Sequence, residues 1–167
     1  MPKLITAVRH AKSSWKDPGL RDLDRPLNGR GKKAAPAMAS KLKELGLKPD
    51  LLLSSPARRA YDTARAFAEV FGFKESDILK DPRFYFEGEE AMAESLMELD
   101  DQFSSVVFFS HEPVISEFCE TWCDWNEFKY PTAAACVVRV EADQWRDIRA
   151  PGKQELYLYP KAISTAL

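Results

Sequence analysis

The chain has 167 residues, of which 45% are hydrophobic and 30% are charged, and its formal net charge is −2. This length predicts one globular domain over residues 1–167, and the near balance of charge argues against nucleic acid or an anionic membrane as a partner. The apolar run before Arg9 is too short for a signal peptide, and no stretch approaches the ~20 apolar residues of a membrane-spanning helix. We therefore expect a cytoplasmic protein.

The first predicted element is a buried strand over residues 4–8, an apolar run that contains β-branched residues. Arg9 and His10 follow at its C-terminal end, where strands of open α/β sheets present functional groups. Taken alone, such a pair fits an ordinary solvated loop as well as a site. The polar stretch from Ser13 to Arg25 has turn formers and no periodicity, which predicts a long loop beside this strand end.

Helical and strand patterns then alternate along the chain. The predicted elements are a helix capped by Asn28 and ending at Gly46, a strand over 51–53, a helix from Ala57 to Phe71, an irregular stretch over 78–88, a helix from Glu89 to about Asp101, a strand over 106–109 and a helix from Pro113. Pro36 falls inside the first helix and predicts a kink or a late start.

In the C-terminal part the helical patterns give way to strand patterns, which predict strands over 134–140, 145–148 and 156–159, joined by turns. Strands that alternate with helices and then give way to a strand-rich end indicate the α/β class. We predict a three-layer α/β/α sandwich around a largely parallel sheet, with an antiparallel strand or two at its edge.

The three cysteines are Cys119, Cys123 and Cys136, an odd number that fits a reducing compartment better than a disulfide framework. Cys119 and Cys123 are four residues apart on a predicted helix. A metal site there would need ligands from elsewhere, and the only histidines are His10 and His111. We therefore expect the cysteines to pack in the core, without a metal.

Three predicted strands end in functional side chains that an open α/β sheet would bring to one crevice. These ends are Arg9-His10, Ser55-Pro56 with Arg58 and Arg59 one turn later, and Ser110-His111. Guanidinium groups repel metal cations, whereas their forked donors match the oxygens of a tetrahedral dianion such as phosphate. An imidazole with a free lone pair is a competent nucleophile toward phosphorus.

These segments resemble the motifs of the histidine phosphatase superfamily, which includes cofactor-dependent phosphoglycerate mutase. Val8-Arg9-His10-Ala11 resembles the Arg-His-Gly signature, residues 54–64 resemble Ser-Pro-x-x-Arg-Ala-x-x-Thr, and Phe109-Ser110-His111-Glu112-Pro113 resembles the third motif. The closing Tyr159-Pro160-Lys161-Ala162 and the small size are similar to the SixA-type phosphohistidine phosphatases, which lack the helical insertion of the mutases.

The resemblance implies that His10 accepts a phosphoryl group and that Arg9, Arg59 and His111 hold it. It implies double displacement through a covalent phosphohistidine, with no metal or other cofactor and with a phosphorylated protein or small phosphorylated molecule as substrate. Arg58 occupies a variable motif position about 100° round the helix and is expected to point elsewhere.

Substrate choice is expected to depend on the loop from Ser13 to Arg25 and on residues 81–90. The substrate-binding candidates are Ser13, Lys16, Arg25 and Glu87. Lys16 lies where the mutases carry an asparagine, which is equally compatible with a phosphate contact and with a solvent-facing side chain. Ala11 replaces the usual glycine, so the backbone after His10 must accommodate a Cβ.

The family pattern leaves the proton donor unassigned. Arg83 occupies the neighbourhood in which relatives often carry a glutamate. The nearby acids Asp81, Glu87 and Glu89 are each more typical of a solvated charge than of a catalyst.

Three alternatives to a phosphohistidine phosphatase stay open. A small-molecule phosphomonoesterase of the same family would use the same nucleophile. A catalytically silent phospho-ligand binding module is less favoured, because binding alone does not need two histidines and two arginines. A mutase is disfavoured by the absence of an insertion that could close over a sugar acid and exclude water.

Overall fold

The structure is a computed structural model that describes residues 1–123 and 129–165. The strands are β1 (Lys3–Arg9), β2 (Leu51–Ser54), β3 (Ile78–Lys80), β4 (Ser105–Ser110), β5 (Ala135–Val140) and β6 (Lys153–Leu158). The helices are α1 (Gly29–Glu44), α2 (Arg58–Phe71), α3 (Arg83–Phe86), α4 (Glu89–Met97), α5 (Val114–Trp122) and α6 (Pro160–Thr165). Short 3₁₀ turns lie at Asp22–Asp24, Glu75–Asp77 and Trp145–Asp147.

The strands form one six-stranded sheet in the order β3-β2-β4-β1-β5-β6. The first four strands in this order pair in parallel, and β5 and β6 pair antiparallel at one edge. This arrangement confirms the predicted largely parallel sheet with antiparallel strands at its edge.

Both faces of the sheet are covered by helices, because successive side chains of each central strand point to opposite sides. On β4, Val106 and Phe108 join the core under α3, α4 and α5, whereas Val107 and Phe109 join the core under α1 and α2. All four side chains are fully buried. The uninterrupted apolar runs in the sequence therefore correspond to strands that lie between two helical layers.

Local signals explain where two of the long helices begin or end. The Oδ1 atom of Asn28 accepts the N–H of Gly31 at 2.9 Å and caps α1, as predicted. Gly72 terminates α2 with a φ of 81°, a left-handed conformation that favours glycine. The helix α1 includes Pro36 without a late start.

Two predicted segments are corrected by the structure. The predicted strand over 145–148 is instead a 3₁₀ turn over Trp145–Asp147, because Trp145 is anchored by its own contacts. Its N–H donates to Asp101 Oδ1 at 2.7 Å, and its indole donates to the Phe103 carbonyl at 2.8 Å. Residues 78–88 are not irregular, since β3 pairs in parallel with β2 and α3 follows. Such a short edge strand carries too few residues to show a pattern.

The remaining differences concern element bounds. The helix α4 ends at Met97, before the predicted end near Asp101, and β6 begins at Lys153 instead of residue 156. Across the described part of the chain, every helix is too short or too polar to span a membrane.

Candidate active site

The parallel register brings the ends of three strands together. Arg9 on β1 lies opposite Ser110 on β4, and Ser54 on β2 lies opposite Phe109 on β4. The next residues of these strands, His10, His111 and Ser55, are therefore neighbours at one edge of the sheet. The ring centroids of His10 and His111 are 5.2 Å apart.

His10 is buried, with 7% of its surface exposed, and its hydrogen bond defines the tautomer. Its Nδ1 atom lies 2.7 Å from the Ala11 carbonyl oxygen, which only accepts, so Nδ1 carries the proton. Burial, together with the charges of Arg59, Arg9 and Arg25, outweighs the hydrogen bond to Ala11 and lowers the pKa of His10 from 6.5 to about 4. The ring is therefore neutral near pH 7, with the lone pair on Nε2.

His111 has the opposite arrangement of hydrogen bonds. Its Nε2 atom lies 2.8 Å from the hydroxyl of Ser55, and that hydroxyl also accepts the N–H of Ala57 at 3.1 Å. Burial lowers the pKa of His111 to about 3, and the neighbouring His10 and Arg59 contribute in the same direction. The two histidines are thus both neutral in the free protein, but only His10 has a free Nε2.

Two of the predicted arginines border the histidines. Arg9 donates from Nη1 to the Tyr130 carbonyl at 2.9 Å, and burial lowers its pKa. Arg59 lies in the first turn of α2 and is 6% exposed, whereas the neighbouring side chain of Arg58 is 59% exposed and pairs with Asp62. The structure therefore places Arg59 and Arg58 on different sides of the helix, in agreement with the motif register.

Unpaired buried polar atoms concentrate in this cluster. Among the described residues, five buried side-chain polar atoms have no hydrogen-bond partner, and three of them are Nε of Arg9, Nε of Arg59 and Nδ1 of His111. Native proteins satisfy nearly all such groups, so a concentration of exceptions indicates a functional constraint at this position.

The carboxylate of Asp22 occupies the donors of two arginines. Asp22 Oδ2 accepts from Arg59 Nη2 at 2.9 Å, and Oδ1 accepts from Arg25 Nη2 at 3.1 Å. The Asp22 carbonyl accepts from Arg59 Nη1 at 2.8 Å, and Tyr85 donates its hydroxyl to Oδ2 at 2.8 Å. Partial burial raises the pKa of Asp22, but these hydrogen bonds outweigh it and hold the pKa at about 2. An anion therefore already binds between Arg25 and Arg59.

These groups surround a small pocket of about 320 Å³. Its lining residues are Arg9, His10, Lys12, Ser13, Trp15, Arg25, Arg59, His111, Glu112 and Thr132. A larger groove of about 530 Å³ lies elsewhere on the surface, and one of about 790 Å³ adjoins the small pocket at Lys12, Ser13 and Trp15. Neither groove is lined by the histidines. The positive charge and the free imidazole lone pair, instead of the volume, identify the small pocket as the candidate site.

The structure divides the four substrate-binding candidates. Ser13 and Arg25 line the pocket, and Arg25 donates to the Ser13 hydroxyl at 2.9 Å. Lys16 and Glu87 are exposed and lie outside this lining. A lysine does border the pocket, but it is Lys12.

The three acids considered as proton donors lie away from the pocket lining. Asp81 is held by Arg83 and by the Ser95 hydroxyl, and these hydrogen bonds lower its pKa. Arg83 binds Asp81 and Glu98. Glu89 accepts the Thr121 hydroxyl at 2.7 Å.

Sequence reasoning assigned no role to several residues in or beside the pocket. Glu112 lines the pocket and accepts the Ser116 N–H at 2.9 Å, and Asp22 and Ser55 contact the predicted residues directly. Glu112 and Ser55 lie inside the segments that resemble family motifs, so the sequence did indicate that they are near the site. Asp22 lies in an aperiodic loop and offered none.

Motif residues outside the pocket hold its backbone in place. The hydroxyl of Thr63 donates to the Arg59 carbonyl at 2.8 Å and accepts the N–H of Ala11 at 2.9 Å. Ala11 is fully buried, so the Cβ that replaces the usual glycine is accommodated by packing. A Cβ at Gly31 would lie 2.1 Å from the Lys12 carbonyl oxygen, so only glycine allows α1 to approach this loop.

Comparisons with known proteins agree with this geometry. The family model of the histidine phosphatase superfamily (branch 1) matches residues 5–85. A chloroplastic protein of Arabidopsis thaliana is 44% identical over 82 residues, which are 48% of this chain and 38% of that protein. Phosphoserine phosphatase 1 of Hydrogenobacter thermophilus is 41% identical over 85 residues, 50% of this chain and 37% of that protein. The matched segments thus span less than half of these curated relatives.

A solved structure matches over nearly the whole chain. It is a SixA protein of Agrobacterium tumefaciens assigned as a phosphohistidine phosphatase, with a TM-score of 0.76 and 28% identity, and the match covers 96% of this chain and 99% of that one. The family motifs, the strand order and the small size without an insertion therefore all agree with a small histidine phosphatase fold. Residues 5–85 thus match the model of the histidine phosphatase superfamily, and the whole chain is similar in fold and size to a small SixA protein.

Proposed function

We propose that this chain is a phosphatase that forms a covalent phosphohistidine at His10 and acts on phosphohistidine in proteins. The observation that carries the proposal is the tautomer of His10. Its Nδ1–H is bound to the Ala11 carbonyl, which leaves the Nε2 lone pair in a pocket bordered by Arg9, Arg25 and Arg59. A neutral imidazole among positive charges is suited to attack a phosphoryl dianion.

In the first step, Nε2 of His10 attacks phosphorus. The P–Nε2 bond forms, the bond to the leaving group breaks, and its electron pair goes to the leaving group. Because Nδ1 keeps its proton, the phosphorylated ring is an imidazolium, and the Ala11 carbonyl at 2.7 Å stabilises that charge. Arg9 and Arg59 stabilise the charge that develops on the phosphoryl oxygens.

In the second step, water attacks phosphorus and the P–Nε2 bond breaks. The electron pair returns to Nε2, which restores the neutral ring and releases inorganic phosphate. The imidazolium form is the better leaving group, so the same hydrogen bond to Ala11 favours both steps. The Ser55 hydroxyl orients His111 beside the reacting group.

Substrate binding requires that Asp22 release the arginines. Its carboxylate binds Arg25 and Arg59, and a phosphoryl group needs the same donors. We infer that substrate displaces this carboxylate, which is half exposed and free to turn toward solvent. The Asp22 carboxylate therefore competes with substrate for Arg25 and Arg59, and only a strongly charged anion displaces it.

The leaving group explains the preference for phosphohistidine. An alkyl phosphate expels an alkoxide whose conjugate acid has a pKa of roughly 15, which needs a positioned acid. An imidazole, with an unperturbed pKa of about 6.5, leaves as a neutral molecule once its ring is protonated. Asp22 cannot be that acid, since its pKa of about 2 keeps it ionised.

Exposed aromatic residues beside the pocket support a protein as the substrate. Trp15 lines the pocket and is 77% exposed, and Phe86 is 67% exposed and packs against Tyr85, which contacts the ring of His111. Large apolar side chains left in solvent around a charged pocket are typical of protein interaction surfaces.

The experiment is a panel of phosphohistidine peptide, aryl phosphate, phosphoserine and phosphoglycerate. We expect kcat/KM to favour phosphohistidine over the alkyl phosphates by at least ~10²-fold, the lower end of what general acid catalysis supplies. The variants Asp81→Asn, Glu87→Gln and Glu89→Gln should change the phosphohistidine rate only slightly. Comparable rates on phosphoglycerate and phosphohistidine would refute the preference, and no turnover of any phosphate would favour a silent binding module.

The alternative is a phosphomonoesterase that acts on a small alkyl phosphate. One observation favours it: Glu112 places a carboxyl group on the pocket wall, where an acid could protonate an alkoxide. The relative from Hydrogenobacter thermophilus is named as a phosphoserine phosphatase. If this alternative holds, Glu112→Gln should reduce turnover of phosphoserine at least ~10²-fold while turnover of an aryl phosphate falls much less.

A further inference from the structure

All three cysteines of the chain meet at one point in the core. Cys119 lies in the last turn of α5, Cys123 follows that helix directly, and Cys136 lies on β5. Their Sγ atoms lie within 4.8 Å of one another, and the Sγ atoms of Cys123 and Cys136 are 3.7 Å apart. Each residue is at most 2% exposed, and all three are free thiols.

The fold brings the sulfurs together from two elements. Cys119 and Cys123 share one side of the helix because they are four residues apart, and the Cys123 N–H donates to the Cys119 carbonyl at 2.9 Å. Cys136 approaches from the sheet, where it lies opposite Ala7 of β1. Core packing explains the burial of each thiol, but it does not require that every thiol of the chain occupy one place.

The distances suit a single thiophilic atom. Two sulfurs bound to one atom at about 2.3 Å each with a near-tetrahedral angle are roughly 3.8 Å apart. Cys123 and Cys136 already have this spacing at 3.7 Å, and the Sγ of Cys119, which lies within 4.8 Å of both, would need to move by at most about 1 Å. Zinc prefers four ligands, and among the described residues only the three thiols form such a cluster. A divalent ion on three thiolates would also leave a net charge of −1 in an apolar core, which is costly.

A trivalent atom avoids that charge. We propose that Cys119, Cys123 and Cys136 form a trithiol site for a trivalent thiophilic oxyacid, with arsenite as the simplest member of that class. The neutral As(OH)₃ exchanges its three hydroxyl groups for three thiols: three As–O bonds and three S–H bonds break, and three As–S bonds and three water molecules form. No electron is transferred, and the product As(SR)₃ is neutral.

The thiol site is connected to the small candidate pocket through Tyr130. The Tyr130 hydroxyl donates to the Ala7 carbonyl at 2.5 Å, opposite Cys136, and its own carbonyl accepts from Arg9 Nη1 at 2.9 Å. A filled site displaces the packing around Tyr130 and hence the position of Arg9. Occupation of the thiol site should therefore weaken phosphate binding.

Arsenite binding to the whole protein tests the site without any need for turnover. Native mass spectrometry should show a gain of one arsenic atom less three hydrogens. Affinity should be unchanged between about pH 6 and pH 8, because water carries away the exchanged protons, whereas a divalent metal that must displace those protons would bind more tightly at higher pH. A gain that retains a hydroxyl group on arsenic would mean two thiols and would overturn the trithiol site.

A separate variant tests each of the three proposed cysteine ligands. Cys119→Ala, Cys123→Ala and Cys136→Val should each lose at least ~10²-fold in arsenite affinity, since each removes one of three bonds. Cys136→Val keeps an apolar, strand-compatible side chain, and circular dichroism checks that each variant folds. Val138→Ala is the matched control, because it alters the same core without removing a thiol. Unchanged affinity in any cysteine variant, or tighter binding of Zn²⁺ than of arsenite, would overturn the proposal.

Inorganic phosphate binding tests the connection to the pocket. Arsenite should weaken it several-fold in the wild-type protein and leave it unchanged in Cys136→Val. An equal phosphate affinity with and without bound arsenite would overturn the connection through Tyr130 and leave the proposed phosphatase activity unaffected.

Discussion

The candidate site has two regions that differ in how they are built. The floor consists of Arg9, His10, Ser55, Arg59 and His111, which lie at or just after strand ends or in the first turn of α2. The rim consists of Trp15, Asp22, Arg25, Tyr85 and Phe86, which come from the loop after β1 and from α3. The floor is held by parallel strand pairing, whereas the rim is held by side-chain hydrogen bonds.

This difference indicates that the floor and the rim have separate roles. A floor fixed by backbone hydrogen bonds would keep His10 and the arginines within the tolerance that the proposed phosphoryl transfer needs. A rim whose Asp22 occupies the arginines must rearrange before substrate binds. Floor substitutions should therefore affect the chemical step, and rim substitutions should affect binding.

The largest effect is expected for the floor residue His10. The variant His10→Ala should have no measurable turnover, because no P–N bond can form. Phosphate release from an aryl phosphate measures it, and Cys119→Ser, Cys123→Ser and Cys136→Ser should stay within a few-fold of wild type. Near-normal turnover in His10→Ala would end the proposed mechanism.

The second prediction compares the activities of alanine variants of two adjacent arginines, Arg58 and Arg59. Arg59→Ala should lower kcat/KM by about 10²-fold or more, because a charged donor on the transferring phosphoryl group is lost. Arg58→Ala should cost little, since its side chain is 59% exposed and pairs with Asp62. A larger loss in Arg58→Ala would show that the wrong arginine has been placed in the floor.

The third effect is a pH dependence of stability that originates in the floor. The folded-state pKa values of His10 and His111 are lowered to about 4 and about 3, so below about pH 6.5 the unfolded chain takes up protons that the folded protein does not. The free energy of unfolding should be independent of these groups above pH 6.5. It should fall by roughly 2 kcal/mol between about pH 6 and pH 5 and level off below the folded-state values.

Urea unfolding at several pH values measures this slope. The double variant His10→Asn and His111→Asn should lose most of it, because few other groups titrate in that interval. An unchanged slope in the double variant would mean that the two rings are not neutral in the folded protein.

The smallest effect concerns the rim residue Asp22. Asp22→Asn removes an anion that competes with phosphate, so the inhibition constant of inorganic phosphate should fall about fivefold, the factor that corresponds to roughly 1 kcal/mol. Asp24→Asn is the matched control, since Asp24 pairs with the exposed Arg21 in the same loop. Weaker phosphate inhibition in Asp22→Asn would show that Asp22 positions the arginines and does not compete for them.

Sequence reasoning predicted that the floor residues meet at one edge of the sheet, whereas their catalytic roles stay predictions. The apolar runs before Arg9, Ser54 and Ser110 are long enough to identify buried strands, and parallel pairing then dictates that the residues after them meet. The separation of Arg58 and Arg59 follows from the helical repeat, which needs no tertiary information.

The rim and the thiol cluster were decided only by the tertiary structure. Asp22 lies in a segment without periodicity, so the sequence carried no signal that its carboxylate would bind Arg25 and Arg59. Cys136 lies on a different element from Cys119, and their meeting depends on how α5 packs on the sheet. Trp145 likewise forms a 3₁₀ turn because of its bonds to Asp101 and Phe103.

Local pattern therefore determined the strands, the helices and the chemical groups at the strand ends, because short-range periodicity and turn residues act within a few positions of the chain. The hydrogen bonds that close the rim with Asp22 and the packing that brings the three thiols together join groups across loops and layers. Those contacts exist only once the sheet is assembled, and so only the folded structure could supply them.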